Sequence, residues 1–430
     1  MWGISRYQWL VLLAAWLGWG FDVFDALLFN YVAPNCIPAL LHLPVGSPEA
    51  RIQTQHWTGI ITSLLLLGWA AGGVLFGTIC DRFGRMRTLM LTMLLYAVGT
   101  AACAAATNLW MLAAFRVIAS LGIGGEWAAG SAMVAEVMPE NRRVEGGALL
   151  YTAAPFGLFL ATFINYQVAG VWLANQTETS WRYVFLFGLL PAAGAFLVRL
   201  FVHEPERWKS AKDRHRARVR DIFTPALRRY TASGIFTAVV ALIGWWTTSS
   251  FIPVIATVLA RGAADARGID AAATQALVEQ WKVFGTMAFN VGGLLGTLLT
   301  IPIAKRLGRR KLFGIYFAAS AVAILATFGL DMPATTRLAM FFVIGVPVFG
   351  IFGAFPYYLP ELFPTRLRAT GAGFCYNIGR VLASGGVFLV GAVAAHNAAI
   401  QAIFYVGFAP LVALLFVPKI IETGGQGLRE

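Results

Sequence analysis

The sequence predicts an all-α integral membrane protein with 12 transmembrane helices in two pseudo-symmetric six-helix bundles. Three observations lead to this prediction: an apolar composition, twelve stretches long enough to cross a bilayer, and a pair of motifs that recurs in the second half. Of the 430 residues, 58% are hydrophobic and only 12% are charged, whereas soluble domains carry about 25% charged residues. Because so few charges cannot cover the surface of a protein this size, the composition excludes a water-soluble globular enzyme.

Each predicted span is an apolar stretch near the length of about 20 residues that a helix needs to cross the hydrocarbon core. The first stretch carries Asp22 and Asp25, lacks a small-residue cleavage site and is too long for the apolar part of a signal peptide. We therefore interpret it as the first span. The twelve predicted spans are 8–32, 57–79, 88–106, 109–133, 146–170, 182–202, 229–258, 279–303, 311–330, 337–359, 369–395 and 398–418.

The distribution of basic residues predicts that both termini lie in the cytoplasm. An even number of spans puts both termini on one side, and that side holds 25 of the 33 lysines and arginines, against 6 on the other. Cytoplasmic loops are enriched in Lys and Arg, so the net charge of +13 reports topology rather than a nucleic-acid partner. We expect a multi-pass protein of the plasma membrane, which is the inner membrane in a bacterium.

Two motifs recur at nearly the same offset, which indicates an internal repeat. The run DRFGRMR at 81–87 returns as KRLGRRK at 305–311, and the run EVMP at 136–139 returns as ELFP at 361–364. The offsets are 224 and 225 residues. The basic stretch between the halves is interpreted as a surface helix or linker at the anionic inner leaflet. The predicted parts are an N-terminal six-helix bundle (1–203), a basic cytoplasmic linker (204–228) and a C-terminal six-helix bundle (229–430).

No motif in the chain indicates catalysis or a cofactor. The sequence has no Walker A run, no G-x-S-x-G elbow and no cluster of metal ligands. We therefore expect no enzyme activity, no cofactor, no metal site and no direct use of ATP. Four cysteines form no C-x-x-C pair and lie in or near apolar stretches, so they are interpreted as packing residues. They are Cys36, Cys80, Cys103 and Cys375.

The run from Gly77 to Arg87 resembles the hallmark loop of the major facilitator superfamily, G-x-x-x-D-R-x-G-R-x-R. Within that superfamily, DVFD at 22–25, GIGGEW at 122–127 and PELFPTRLRATG at 360–371 resemble the proton-coupled organic-acid symporters of the sialate, aromatic-acid and metabolite families. NIGR at 377–380 and ETGG at 422–425 resemble the same families. The general resemblance covers nearly the whole chain, and the narrower one rests on about forty residues.

The resemblance implies that the hallmark loop holds the two halves together on the cytoplasmic side in the outward-open state. The second copy departs from the family pattern because Lys305 stands where the motif has an aspartate. Glu136 and Glu361 lie near the inner ends of spans, where we expect them to pair with arginines. The predicted gating residues are Gly77, Asp81, Arg82, Gly84, Arg85, Glu136, Arg143, Glu361 and Arg368.

Five charged residues lie well inside predicted spans, away from their ends: Asp22, Asp25, Arg116, Glu126 and Arg380. A charge at the centre of a span costs about 2.5–3.5 kcal/mol on insertion scales and marks a functional site by default. Asp22 and Asp25 are three residues apart on one helix face. Neighbouring carboxylates in a dry site repel each other, which favours protonation of one of them. We predict that Asp22, Asp25 and Glu126 serve proton coupling, with Asp25 favoured because it lies deeper. The alternatives are a structural ion pair with an arginine, a helix cap or, for Glu126, the inner water boundary.

An arginine in a span is suited to bind a carboxylate, because its guanidinium offers a fork of donors that matches the two oxygens. We predict that Arg380 anchors a substrate carboxylate and that Asn377, three residues earlier, adds a neutral hydrogen bond. The alternative for Arg380 and Arg116 is an ion pair with a carboxylate of the first span. The predicted substrate-binding residues are Arg380, Asn377, Arg116, Asn290, Tyr357 and Trp246.

These features predict a secondary active transporter that takes up a small organic anion with protons by alternating access. The expected substrate is a mono- or dicarboxylate, such as a sialic-acid-like or aromatic acid. The predicted partners are this anion, protons and the lipid bilayer, and we expect a monomer. The alternatives are a sugar or other metabolite porter, a drug exporter of the same fold, or a transporter-like sensor that binds without transport.

Overall fold

The computed structural model describes residues 4–44, 47–173, 176–189, 193, 196–197, 200–210, 218–268, 270–393 and 399–429. Within these ranges every regular element is a helix. The α-helices are α1 (Arg6–Leu40), α2 (Pro48–Phe83), α3 (Arg85–Cys103), α4 (Leu109–Val137), α5 (Arg143–Tyr151), α6 (Ala153–Asn165), α7 (Thr177–Phe187), α8 (Glu206–Ser210), α9 (Arg228–Arg267), α10 (Ala271–Leu307), α11 (Arg309–Gly329), α12 (Ala334–Gly350), α13 (Phe355–Glu361), α14 (Arg368–Val393), α15 (Ala399–Val406) and α16 (Phe408–Ala413).

Ten helical segments of the described ranges are long and apolar enough to cross a membrane. Three of the twelve predicted spans, 182–202, 369–395 and 398–418, lie partly outside the described residues. The helix that contains the first predicted span, 8–32, is longer than expected, because α1 continues to Leu40. The all-α class that the composition predicts is therefore confirmed.

Several predicted spans are interrupted rather than continuous, among them 146–170, 337–359 and 398–418, the last of which divides into α15, α16 and a 3-10 segment at Leu414–Lys419. The stretch 146–170 divides into α5, α6 and a π-helical segment at Tyr166–Trp172. Pro155 lacks the N–H group that would bond to the carbonyl of Tyr151, which accounts for the break between α5 and α6. The stretch 337–359 divides at a 3-10 turn, Ile351–Ala354. Pro356 follows this turn and lacks the N–H group that would bond to the carbonyl of Phe352, which accounts for this interruption.

Polar side chains fix the beginnings of α1, α2 and α4. Ser5 and Gln8 form a reciprocal capping box, in which each side chain accepts the backbone N–H group of the other. Ser47 and Asn108 each accept the N–H group of the third residue after them. These oxygens satisfy backbone donors that have no partner within the helix.

A second kind of beginning is shared by α3 and α11. Each follows a glycine with positive φ, Gly84 at 113° and Gly308 at 85°, where a side chain would be strained. The donors of α3 are satisfied from a distance, because Glu204 accepts its first three backbone N–H groups. In the same way Glu422 accepts the first two of α11. The repeat in sequence therefore corresponds to a repeat in local structure.

Contacts group the chain into two compact units. Unit 1 comprises Met1–Leu227, Leu359–Asn377 and Leu428–Glu430, and unit 2 comprises Arg228–Tyr358 and Ile378–Gly427. The segment Leu359–Asn377 thus belongs with the N-terminal helices by contact, although it lies late in the chain. The division at 1–203, 204–228 and 229–430 follows the sequence repeat and stays a prediction.

Glycines bring the backbones of α2 and α4 into contact in unit 1. A Cβ atom at Gly124 would overlap the carbonyl oxygen of Trp69, and one at Gly72 would overlap that of Leu121. Small residues permit such close approach between membrane helices, where dispersion contacts replace the hydrophobic effect. In unit 2, a glycine also brings α10 and α12 into backbone contact, because a Cβ atom at Gly292 would overlap the carbonyl oxygen of Phe342.

Replacing Gly124 by alanine will destabilise the protein by about 1–3 kcal/mol, because the rigid backbone of α2 cannot move away from the added methyl group. The loss is expected as a lower midpoint temperature in a thermal-shift assay of the purified protein. Gly130→Ala is the matched control on the same helix, since the nearest atom to its Cβ would be that of Ala15 at 4.0 Å. Alanine favours a helix by about 1 kcal/mol over glycine, so this variant should keep or raise the midpoint. An equal loss in both variants would contradict the close α2–α4 contact.

Candidate functional site

A cluster of buried charges lies in unit 1 where α2 ends and α3 begins. Arg85 is fully buried at its centre. Its Nη1 atom lies 2.7 Å from Oδ1 of Asp81, and its Nη2 atom lies 2.7 Å from Oε1 of Glu136. Nη2 also donates to the carbonyl oxygen of Thr365 at 2.9 Å. One guanidinium thereby joins α2, the end of α4 and the turn before α14.

Glu136 lies between two arginines. Its Oε1 atom accepts hydrogen bonds of 2.7 Å from Arg85 and from Nη1 of Arg368. Arg368 also donates to the carbonyl oxygens of Pro360 and Arg429. Buried ion pairs tolerate their desolvation when extra hydrogen bonds satisfy the remaining donors, and these carbonyl contacts supply them.

Asp81 caps the first turn of α14. Its carboxylate accepts the backbone N–H groups of Ala369 at 3.2 Å and Thr370 at 2.7 Å. A carboxylate at a helix N-terminus also compensates the positive end of the helix dipole. Gly77 makes the approach possible, because a Cβ atom there would lie only 2.8 Å from the carbonyl oxygen of Ala369.

A second ion pair joins the same two parts of the chain. Arg143, at the start of α5, lies 3.6 Å from Glu361, at the end of α13, and both side chains are buried. The pairing between the motif copies is therefore reciprocal: Glu136 binds Arg368, while Glu361 binds Arg143. We call these residues and their neighbours the motif cluster: Asp81, Arg85, Glu136, Arg143, Glu361 and Arg368. Of the other predicted gating residues, Gly84 begins α3, Gly77 contacts α14 and Arg82 is exposed.

A separate buried ion pair connects α1, α3 and α4. Nη1 of Arg116 lies 3.2 Å from Oδ2 of Asp25, and its Nη2 atom donates to the backbone carbonyl of the same residue at 2.8 Å. The hydroxyl group of Thr100 donates to Oδ1 of Asp25 at 2.5 Å. All three residues are buried. We call this arrangement the Asp25 site, and it corresponds to the alternative in which Arg116 pairs with a carboxylate of the first span.

The other two predicted proton-coupling residues are also buried in unit 1. Asp22 lies one turn before Asp25 on α1 and is fully buried. Glu126 on α4 accepts a hydrogen bond of 3.4 Å from the hydroxyl group of Thr92 on α3. Trp127, the next residue, stacks on the ring of Tyr376, with the ring centroids 4.2 Å apart. Asp25 and Glu126 therefore have different hydrogen-bond partners.

The predicted substrate-binding residues are divided between the units. In unit 1, Nδ2 of Asn377 donates to the carbonyl of Gly373 at 2.8 Å, so this donor is used within its own helix. In unit 2, Arg380 is buried on α14. The amide of Asn290 donates to the carbonyl of Thr286 on the preceding turn at 2.9 Å.

The two predicted aromatic residues also lie in unit 2. Tyr357 is fully buried and lies 5.6 Å from the guanidinium carbon of Arg309. Trp246 is half-buried and meets Trp245 edge-on, with ring centroids 4.8 Å apart. Unit 1 contains an aromatic cluster that was not predicted from the sequence. Trp19, one turn before Asp22, lies 5.7 Å from Tyr151 and 6.4 Å from Trp69 between ring centroids.

Comparison with known proteins agrees with this geometry. A family model described as Major Facilitator Superfamily matches residues 9–387. The chain belongs to the Major Facilitator Superfamily. Membership confirms the resemblance stated from the loop motif and, with it, the predicted fold of 12 helices in two bundles. It also establishes a multi-pass membrane protein of a transporter family, a class whose members are generally not enzymes.

Relatives within the superfamily match the chain almost end to end. It is 28% identical to a putative metabolite transport protein of Haemophilus influenzae, over 97% of this chain and 95% of that one. It is 28% identical to the sialic acid transporter NanX of Escherichia coli, over 87% and 84%. It is 26% identical to a cis,cis-muconate transport protein of Acinetobacter baylyi, over 98% and 95%.

Among solved structures, the chain resembles the superfamily's proton:xylose symporter XylE bound to 6-bromo-6-deoxy-D-glucose. The TM-score is 0.78 at 18% sequence identity, and the match covers 99% of this chain and 98% of that chain. At this level of identity the likeness concerns the fold alone.

Sequence reasoning missed the residues that support the superfamily motif from elsewhere in the chain. Glu204 and Glu422 cap α3 and α11, and each follows the last predicted span of its half, which is the signal that would have identified them. Partial burial raises the pKa of Glu422. The hydrogen bonds from the N–H groups of Arg309, Gly424 and Arg310 lower it by more, so the pKa lies below its ordinary value. The carboxylate is therefore held in its charged form.

Replacing Glu136 by glutamine will destabilise the protein by about 3–5 kcal/mol, because two buried guanidiniums lose their shared negative charge. The change is expected as a lower thermal midpoint of the purified protein. Glu178→Gln is the control in the same unit, since that side chain is exposed and lies outside the motif cluster. An exposed substitution of this kind changes stability by about 0.5 kcal/mol or less. If both variants had the same midpoint, the motif cluster would not stabilise the fold.

Proposed function

We propose that this protein is a secondary active transporter that takes up a small organic anion with protons by alternating access. The observation that carries the proposal is the Asp25 site, a buried carboxylate that shares an ion pair with Arg116 in the membrane-spanning part of unit 1. Relatives named for sialic acid and for cis,cis-muconate support an organic acid as the substrate. The expected substrate is a mono- or dicarboxylate.

The Asp25 site is suited to couple protonation to helix movement. When Asp25 takes up a proton, the ion pair with Arg116 is lost, while the bond from Arg116 to the backbone carbonyl of residue 25 is kept. The guanidinium is thereby held in place while the attraction between α1 and α4 weakens. Protonation thus alters the free-energy difference between two arrangements of these helices without leaving the arginine unbound.

Proton coupling also resolves the energetic difficulty of anion uptake. An anion that enters against an inside-negative potential costs about 2.3 kcal/mol per charge per 100 mV. One co-transported proton cancels this cost, and an inward pH gradient adds a driving force. Asp22 lies one turn before Asp25 on α1, and Glu126 lies ten residues after Arg116 on α4; both are buried. We propose that they contribute to the same proton pathway.

Arg380 is proposed as the anchor for the substrate carboxylate. It is a buried arginine of unit 2 on α14, and its guanidinium matches a carboxylate with two parallel hydrogen bonds. Asn377, Asn290, Tyr357 and Trp246 remain proposed contacts of the substrate. Arg116, by contrast, is engaged by Asp25, so its proposed role is to control protonation rather than to bind substrate directly.

The motif cluster is proposed to open and close during transport. Its ion pairs hold Leu359–Asn377 against α2, α3 and α4, and release of substrate on the side of this cluster requires them to separate. In the proposed orientation both termini lie in the cytoplasm of a plasma membrane. The cluster would then form the inner gate, and its opening would expose the site to the cell interior.

Replacing Asp25 by asparagine will abolish proton-driven accumulation but preserve exchange, because asparagine is neutral and cannot release a proton. The measurement uses proteoliposomes and labelled cis,cis-muconate or sialic acid. Uptake is followed with and without an inward pH gradient, and exchange is followed with the same acid on both sides. The wild-type protein is expected to accumulate at least one of these acids only when the gradient is present.

Asp331→Asn is the matched control, because this carboxylate is exposed, and it should leave both activities unchanged. Accumulation by the Asp25 variant would exclude this residue as the proton site, and loss of exchange would indicate a structural role instead. If the wild-type protein accumulated a sugar but neither acid, the sugar-porter alternative would replace the proposal. Binding of an acid without any transport would favour a sensor.

Replacing Arg380 by lysine will weaken binding of the transported acid by at least about tenfold, because an ammonium group cannot form the paired hydrogen bonds of a guanidinium. The dissociation constant is measured by titration of the purified protein in detergent. Arg306→Lys is the control in the same unit, since this side chain is exposed, and it should bind as the wild type does. An unchanged dissociation constant in Arg380→Lys would remove this residue from the substrate site.

A further inference from the structure

A cavity of about 510 Å³ lies in unit 2 where three helical segments end at one level. It is formed by the start of α9, the start of α11 and the chain that follows α16. We infer that this cavity binds the headgroup of an anionic phospholipid. The residues that line it and enter the argument are Arg229, Ser233, Phe236, Arg310, Phe416 and Lys419. We call it the basic cavity.

The charge of the basic cavity favours an anion. Arg229, Arg310 and Lys419 are all exposed at its mouth, and no acidic side chain is among the described residues that line it. The nearest carboxylate in sequence is Glu422, which accepts backbone N–H groups at the start of α11. Even with this charge counted, the region keeps an excess of positive charge.

The position of the basic cavity matches the surface of a bilayer. The candidate spans Arg228–Arg267, Arg309–Gly329 and Ile400–Lys419 each begin or end at or next to one of the three cations. The cations therefore mark the level at which these spans leave the hydrocarbon core. Basic pockets between spans at this level are suited to phospholipid headgroups.

An apolar wall extends from the cations toward the membrane interior. Phe236 lies two turns beyond Arg229 on α9, which is about 10 Å along the helix. Its ring is 5.9 Å from that of Phe416 and 6.2 Å from that of Phe317 between centroids. A charged mouth above an aromatic wall fits a molecule with an anionic head and a hydrocarbon chain. A free anion would gain nothing from the wall, so we assign the site to a lipid.

The mouth of the basic cavity is held in place by contacts within unit 2. Nε of Arg310 donates to the carbonyl oxygen of Ile420 at 2.7 Å, and Nζ of Lys419 lies 5.3 Å from the centroid of the Phe416 ring. The hydroxyl group of Ser233 accepts the N–H group of Ile421 at 3.0 Å. Because these contacts already fix the groups, binding costs little additional ordering.

The charged side chains that line the equivalent place in unit 1 are mainly acidic. There a cavity of about 440 Å³ lies between the start of α1 and the chain that follows the sixth predicted span. Glu136, Glu204 and Glu206 line it together with Lys209. The basic cavity is therefore not a general result of positive charge near span ends. The two halves have diverged, and the lipid site belongs to unit 2.

The test is a titration of the delipidated protein in detergent with phosphatidylglycerol, with bound lipids counted by native mass spectrometry. The triple variant R229Q/R310Q/K419Q should raise the apparent dissociation constant at least about tenfold, since each cation adds to the attraction. The single variant Lys419→Gln removes only a contact with one ring, so it should fold normally and raise the constant about threefold. Unchanged binding by both variants would overturn the inference.

The matched control is R306Q/K311Q/R366Q, which removes three exposed positive charges outside the cavity and should bind as the wild type does. An equal loss in this control would reduce the effect to general surface charge and overturn the inference. Two further arms identify the ligand. Equal binding of phosphatidylcholine would leave no role for the cations, and full displacement of the lipid by millimolar inorganic phosphate would indicate a free-anion site. Neither result is expected.

Discussion

The structure depends on one constraint: a charge inside the membrane region must have a partner of opposite charge or a set of hydrogen bonds. Asp25 meets this requirement with Arg116, and Glu136 meets it with Arg85 and Arg368. In each case the partner comes from a different helix, so charge compensation also specifies which helices are neighbours. Breaking such a pair without neutralising it is costly. A change of helix arrangement must therefore proceed through protonation or through exchange of partners.

Two kinds of contact have different roles within unit 1. The glycine contacts of α2 and α4 bring the two backbones together directly, so we expect these helices to move as one pair. The ion pairs of the motif cluster connect that pair to Leu359–Asn377 through side chains. Side-chain contacts can be broken and remade without rebuilding a helix. The rigid contacts thus preserve the shape of the helix pair, while the charged contacts allow a reversible change.

The sequence was sufficient for the class, most spans and the five charges inside the spans, because hydropathy and charge can be read directly along the chain. It did not show that the charges of the loop motifs are buried as well. It did not specify partners. Whether Arg116 binds Asp25 depends on the rotation of three helices, and the bond from Asn377 to Gly373 depends on a side-chain rotamer. The break at Pro155 and the caps Glu204 and Glu422 have local sequence signals that hydropathy does not weigh. Contacts across 232 residues, such as that between Glu136 and Arg368, have none.

The reciprocal pairing of the motif copies has the form of a two-fold symmetric interface, in which residue i contacts j′ and residue j contacts i′. A half-length chain that carried the motif once would make the same two pairs with a second copy of itself. Duplication and fusion of such a chain would keep both pairs without any new interaction having to evolve. The two pairs also link substitutions in the two copies: replacing either glutamate would leave an arginine of the other copy without that carboxylate, whereas Lys305, at the position of the motif's aspartate, belongs to neither pair.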